Sequence, residues 1–124
     1  MIAGKYRGVL AVGIAGLVLS GAGCASDEQR VANHIEEAER LREAGDHRSE
    51  LIELRAALQL DPKNAELNRK IALAYSALGK PPQAAFFNGE AYRLDPTLTE
   101  AGLAHAQALY GTEPEAAADL IAEI

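Results

Sequence analysis

The sequence predicts an all-α fold of tandem antiparallel helix hairpins, a short α-solenoid of about 2.5 repeats, behind a cleaved leader. The first observation is a repeat: Asp61-Pro62 and Asp95-Pro96 lie 34 residues apart and close similar Ala- and Leu-containing stretches. A fixed period of that length marks stacked hairpins, none of which buries its apolar face alone. The second is composition: hydrophobic residues make up 48% of the chain, yet aromatics only 5% with no Trp, which leaves few of the β-branched and aromatic runs that strands use. The third is apolar residues recurring at helical spacing between capping and breaking residues. A chain of 124 residues is enough for one modest domain.

The leader comes first. Lys5 and Arg7 open it, an uncharged apolar run follows over 9–19, and Ser20, Gly21, Ala22 and Gly23 lead to Cys24. That is the three-part layout of a secretion signal, assigned to 1–23. The apolar run is too short for a transmembrane helix, which needs about 20 residues. Cys24 is the sole cysteine, so an intrachain disulfide is excluded. Residues 24–30 are assigned as an anchor and short linker, and 31–124 as the repeat domain.

Ser26 to Gln29 reads as a capping box that opens a helix. Val31, Ile35, Ala38, Leu41 and Ala44 then form a stripe that Gly45 ends. Asp46 caps the second helix, with Leu51, Leu54, Ala57 and Leu58 inward and Asp61-Pro62 as its stop. Asn64 caps the third, which carries Leu67, Ile71, Ala74, Tyr75 and Leu78 to Gly79. Pro81 and Pro82 start the fourth, where proline costs little, and its stripe is Ala84, Phe87, Ala91 and Leu94. Thr97 to Glu100 reads as a second capping box, and the fifth helix runs through Leu98, Ala101, Ala104, Ala108 and Leu109 to Gly111. A last, shorter helix follows Pro114, from Glu115 to Ile124.

Charge narrows the partners. The formal charge is -6, and without the leader 10 bases face 18 acids, or -8. Such a surface repels phosphate, so nucleic acid is not expected as a partner. His34, His47 and His105 lack metal-ligand spacing, no Gly-rich loop follows a strand, and Ser26, Ser49 and Ser76 have no nearby His/Asp arrangement typical of a nucleophile. Neither an enzyme nor a metal or other cofactor is expected. The acids mixed with arginines along the helices read as surface ion pairs.

The residues that carry the period resemble the tetratricopeptide repeat family, whose 34-residue unit is two antiparallel helices. With Pro62 and Pro96 on the family's proline position, the middle unit, 65–98, sets Ile71, Ala72, Tyr75, Gly79, Ala84 and Ala91 on its small and apolar positions. The first unit, 31–64, keeps Ala38, Leu41, Gly45, Leu54 and Ala57. It departs at Glu50, where a small residue is usual, and at Glu37, where an apolar one is, so looser packing or a shifted register is expected there. The third unit, 99–124, keeps Ala106, Leu109 and Ala118 and is incomplete. The leader resembles a lipoprotein signal: Ala22, Gly23 and Cys24 match its end, while Gly21 replaces the usual Leu, leaving ordinary signal cleavage nearby open. That resemblance implies acyl chains on Cys24 and, with Ala25-Ser26 following, an outer-membrane anchor facing the periplasm.

The family resemblance implies a partner groove lined by the first helix of each hairpin. Carried over, its positions are Ala32, Ile35, Glu39 and Arg42, then Glu66, Arg69, Leu73 and Ser76, then Glu100, Leu103, Gln107 and Tyr110. Their mixture of apolar and charged side chains suits an extended peptide or a helix. One subgroup of the family grips a terminal carboxylate with a Lys and an Asn; Ile35 and Glu39 hold those positions here, so that activity is not implied. Leu120, Ile121 and Ile124 form a second candidate surface on the last helix, for core packing or for a homodimer. The function expected is a membrane-tethered protein-binding adaptor in the bacterial cell envelope, of the kind that serves pilus, secretion or polysaccharide-export assembly. The alternatives are a self-associating structural repeat or the opening of a longer array.

Overall fold

The computed structural model describes residues 25–124, so the leader and Cys24 lie outside the described residues. Within them the chain is six helices: α1 Asp27–Glu43, α2 His47–Leu60, α3 Ala65–Ala77, α4 Pro81–Leu94, α5 Thr99–Leu109 and α6 Pro114–Glu123. Each helix packs chiefly on its neighbours in sequence, giving three consecutive hairpins. That is the quasi-one-dimensional stacking of a helical repeat. α1 starts at Asp27, inside the stretch assigned as linker, because the Ser26 hydroxyl accepts from the Gln29 amide at 3.2 Å.

Local chemistry sets the boundaries. The first two hairpin turns end in the same device. Gly45 (φ 76°) and Gly79 (φ 67°) take the left-handed conformation that side chains resist. The amide of Gly45 bonds the Arg42 carbonyl and that of Asp46 the Leu41 carbonyl; Gly79 and Lys80 repeat the pattern on Ser76 and Tyr75. Four helix-end carbonyls are satisfied this way. Asp46 and Asn64 cap α2 and α3 through Ser49 and Leu67, at 3.1 and 3.0 Å.

The two Asp-Pro turns share a sequence and not a hydrogen-bond pattern. In the first, Asn64 donates to Asp61 at 2.8 Å while its own oxygen caps α3. In the second, Asp95 accepts from both the amide and the hydroxyl of Thr97, at 3.0 and 2.6 Å. This corrects the expected capping box. The Thr97 hydroxyl instead donates to the carboxylate two residues earlier, and α5 begins at Thr99 without a side-chain cap. The third turn also departs: α5 stops at Leu109, and Gly111 does not enter the left-handed region.

The core runs through the first two hairpins as Ala38, Leu54, Ala57, Leu67, Ile71 and Ala74, with Val31, Leu51, Tyr75 and Phe87 packed against it. Half of those six are alanines, so the helices approach closely. The Tyr75 and Phe87 rings stack at 5.6 Å between centroids, tying α3 to α4. The core continues through Ala91, Ala101, Ala106 and Ala117 into the last hairpin.

Looser packing in the first hairpin is not observed: α1 and α2 pack as extensively as α3 and α4. Glu50 is 3% exposed, yet one of its oxygens lies 2.7 Å from His47 Nδ1. A buried acid is tolerated when such a partner is built in. Glu37 is half-buried and paired with Arg40 one turn along, so its charge needs no apolar slot.

Candidate functional site

The face made by α1, α3 and α5 collects most of the predicted groove residues. These three helices are separated by their partners, and long side chains bridge the spaces between them. Lys70 of α3 donates to Glu39 of α1 at 3.0 Å. That hydrogen bond, followed by the charge of Lys70, holds the Glu39 carboxyl below its ordinary range. On α3, Arg69 grips Glu66 through two bonds of 2.8 and 2.7 Å. The pair depresses the Glu66 carboxyl and raises the Arg69 guanidinium, to which Glu100 of α5 adds a smaller upward pull.

Three depressions follow this face. The first lies between α1 and α3, with Glu39 and Arg42 on one side, Arg69, Lys70 and Leu73 on the other, and Glu50 and Leu54 of α2 below. The second joins Glu66 and Arg69 to the start of α5 at Thr97, Leu98, Thr99 and Glu100. The third brings Ser76 together with Gln107 across the α3–α5 gap. Leu73 and Leu103 stand 49% and 48% exposed on adjacent first helices, and Tyr110, at the end of α5, is 69% exposed. Exposed side chains of that size in line with charged neighbours make a mixed apolar and polar strip.

Three predicted residues are partly or wholly engaged in packing. Ile35 is half-buried and packs against the core cluster, because it faces α2 at the heart of the hairpin. On α6, Ala117 is fully buried, Leu120 is half-buried beside Phe86 and Tyr92, and Ile124 reaches toward Gly102. Most of that stripe is therefore spent on α4 and α5. Ile121, 51% exposed, and Ile124, 36% exposed, are what remain open.

Two residues of the site were not expected there from the sequence. Lys70 sits 31 residues from Glu39, one repeat less about a turn, so the 34-residue period carried the signal for that pair. Glu50 stood out as a misfit to the repeat pattern, but nothing in the sequence places it beneath Arg42 and Leu73. Among the described residues there is no group of three side chains able to hold a metal ion, and no helix is long and apolar enough to cross a membrane.

No protein-family model matches the chain, and no curated protein matches it.

Proposed function

We propose that this chain is a membrane-tethered adaptor of the tetratricopeptide repeat type, holding a protein or peptide partner in the groove of α1, α3 and α5. The observation that carries the reading is the row Leu73, Leu103 and Tyr110, all exposed on first helices and flanked by Glu39, Arg42, Glu66, Arg69 and Gln107. An apolar row set among charged and amide side chains fits an extended segment, which takes main-chain and side-chain contacts together. Ser76 and Gln107 supply neutral hydrogen-bonding groups at the far end.

The tether in this reading is lipid on Cys24, and the location is the bacterial cell envelope, at the outer membrane facing the periplasm. Support comes from the lone cysteine placed where an apolar leader gives way to a polar helix start. More than one acyl chain would be needed for firm anchoring. Partner systems of this reading are assemblies such as pili, secretion channels or polysaccharide exporters.

Affinity recovery of partners with the full chain and with a variant altered at Arg69, Leu73 and Tyr110 tests the groove. A partner lost from the variant supports it; equal recovery removes the groove from the account. Mass analysis of the mature N-terminus tests the tether: the reading requires a diacylglycerol adduct on Cys24.

A second reading, self-association through the last helix, rests on Ile121 and the exposed part of Ile124, since Leu120 is half-buried. It requires a dimer in sedimentation that Ile121→Glu disperses.

A further inference from the structure

Glu50 is the one carboxylate among the described residues held almost entirely inside the fold, at 3% exposure, and it forms the floor of the depression between α1 and α3. His47 occupies its Oε2 at 2.7 Å. Its Oε1 has no hydrogen-bond partner among the described residues. No fully enclosed side-chain oxygen among the described residues lacks a partner, so Oε1 keeps some exposure, and Glu50 lines the depression. The walls above it are Ala38, Leu54 and Leu73, and the space measures about 140 Å³, room for one side chain and not for a folded element.

The cations at the mouth are already largely spoken for. Arg69 holds Glu66 and Lys70 holds Glu39, leaving Arg42 without an ion pair among the described residues. An acidic group entering the depression would meet the open oxygen of Glu50 where little water can screen the repulsion. A basic group meets the opposite sign at the floor, while its methylene stem lies against the aliphatic walls. The exposed Arg42 side chain is long enough to swing aside.

We propose that this depression is a subsite for a single lysine or arginine side chain of the segment bound in the groove. The proposal rests on the groove reading above and specifies its partner: a segment with a basic residue that reaches Glu50 while its neighbours lie along Leu73 and Leu103. The net charge of -8 over the residues after the leader favours such a partner at longer range as well.

The test is an NMR titration of the full chain in mild detergent with three probes: the Nα-acetyl methylamides of lysine, norleucine and glutamate. The lysine probe should shift the Glu50, Leu54 and Leu73 signals saturably and bind about tenfold tighter than norleucine, the scale of one charge-assisted hydrogen bond. Glu50→Gln should erase that preference. Arg42→Ala, which leaves Glu50 in place, should bind the lysine probe at least as tightly as the parent, so the proposal stays testable if Glu50→Gln does not fold. Equal binding of lysine and norleucine, a preference for glutamate, or lysine binding weakened by Arg42→Ala overturns it. Partner cross-linking at Leu103, outside this depression, reports on the groove separately. Loss of the lysine preference with that cross-link intact removes the subsite alone.

Discussion

The ring of His105 lies across the bare Cα of Gly89: a Cβ placed there would stand 2.8 Å from His105 Cε1. The ring donates from Nδ1 to the Ala85 carbonyl at 2.9 Å, one turn before Gly89 on α4. A glycine in mid-helix thus lets α5 come close enough to hydrogen-bond the backbone of α4. Gly102 does the reverse service on α5, where an added Cβ would meet Tyr92 at 2.7 Å and Ile124 at 2.9 Å. These two notches, beside the apolar contacts of Leu120 and Ile124, join the last two helices to the stack.

Gly89→Ala should therefore destabilise the protein, against the usual gain of about 1 kcal/mol for alanine in a helix interior. The clash costs about 1–3 kcal/mol and displaces the His105 bond, so a net loss of about 1 kcal/mol is expected. Adding His105→Ala should make the Gly89→Ala change favourable. A denaturant-unfolding cycle over the two single variants and the double checks the sign of this coupling.

The hairpin glycines divide by backbone conformation. Gly79→Ala should cost about 1 kcal/mol, because φ is 67° although nothing crowds the site. Gly111→Ala, equally uncrowded and outside the left-handed region, should be neutral or stabilise by about 0.5 kcal/mol through the unfolded chain. Thermal melts of the pair decide it; equal penalties would contradict the turn geometry described above.

Acid should loosen the stack in a defined direction. Asp46 and Asp95 are held below the ordinary aspartate range, each first by a side-chain hydroxyl bond, from Ser49 and Thr97, and Glu39 is lowered by Lys70. Groups depressed in the folded state stabilise it fully above their unfolded values, here 3.8 and 4.5, and that stability is lost as pH falls through the folded values. The midpoint of unfolding should thus be flat from about pH 7 to 5 in these contributions and fall below it. Asp46→Ala should lower stability at neutral pH and shrink that fall. A pH series of melts on both proteins checks it, and an unchanged acid limb would argue against the Asp46 cap.

Much of the fold was legible because it is written locally. The caps Ser26, Asp46 and Asn64, the paired prolines of α4, and Gly45 and Gly79 are each decided within a few residues, and each stands where the sequence puts it. Thr97 misled because its amide and hydroxyl are both drawn to the Asp95 carboxylate within the turn, and spacing alone does not show that. Ile35 misled because one helical face serves both core and groove in a small repeat; only the position of α2 shows which part of that face is covered. Glu50 and the Gly89–His105 contact depend on how two helices cross. A residue pattern along one helix holds no record of that. The predicted site is gathered on one face all the same, since a 34-residue period returns equivalent positions to the same side of the stack.

The most direct test of the central claim is site-specific photo-cross-linking of the full chain in its native cells. The probe is placed in turn at Leu73, at Leu103 and at Ile52, an α2 residue 66% exposed and outside the groove face. The account predicts one shared cross-linked partner at Leu73 and Leu103 and none at Ile52. The same yield at Ile52, or no partner at either groove position, would contradict it.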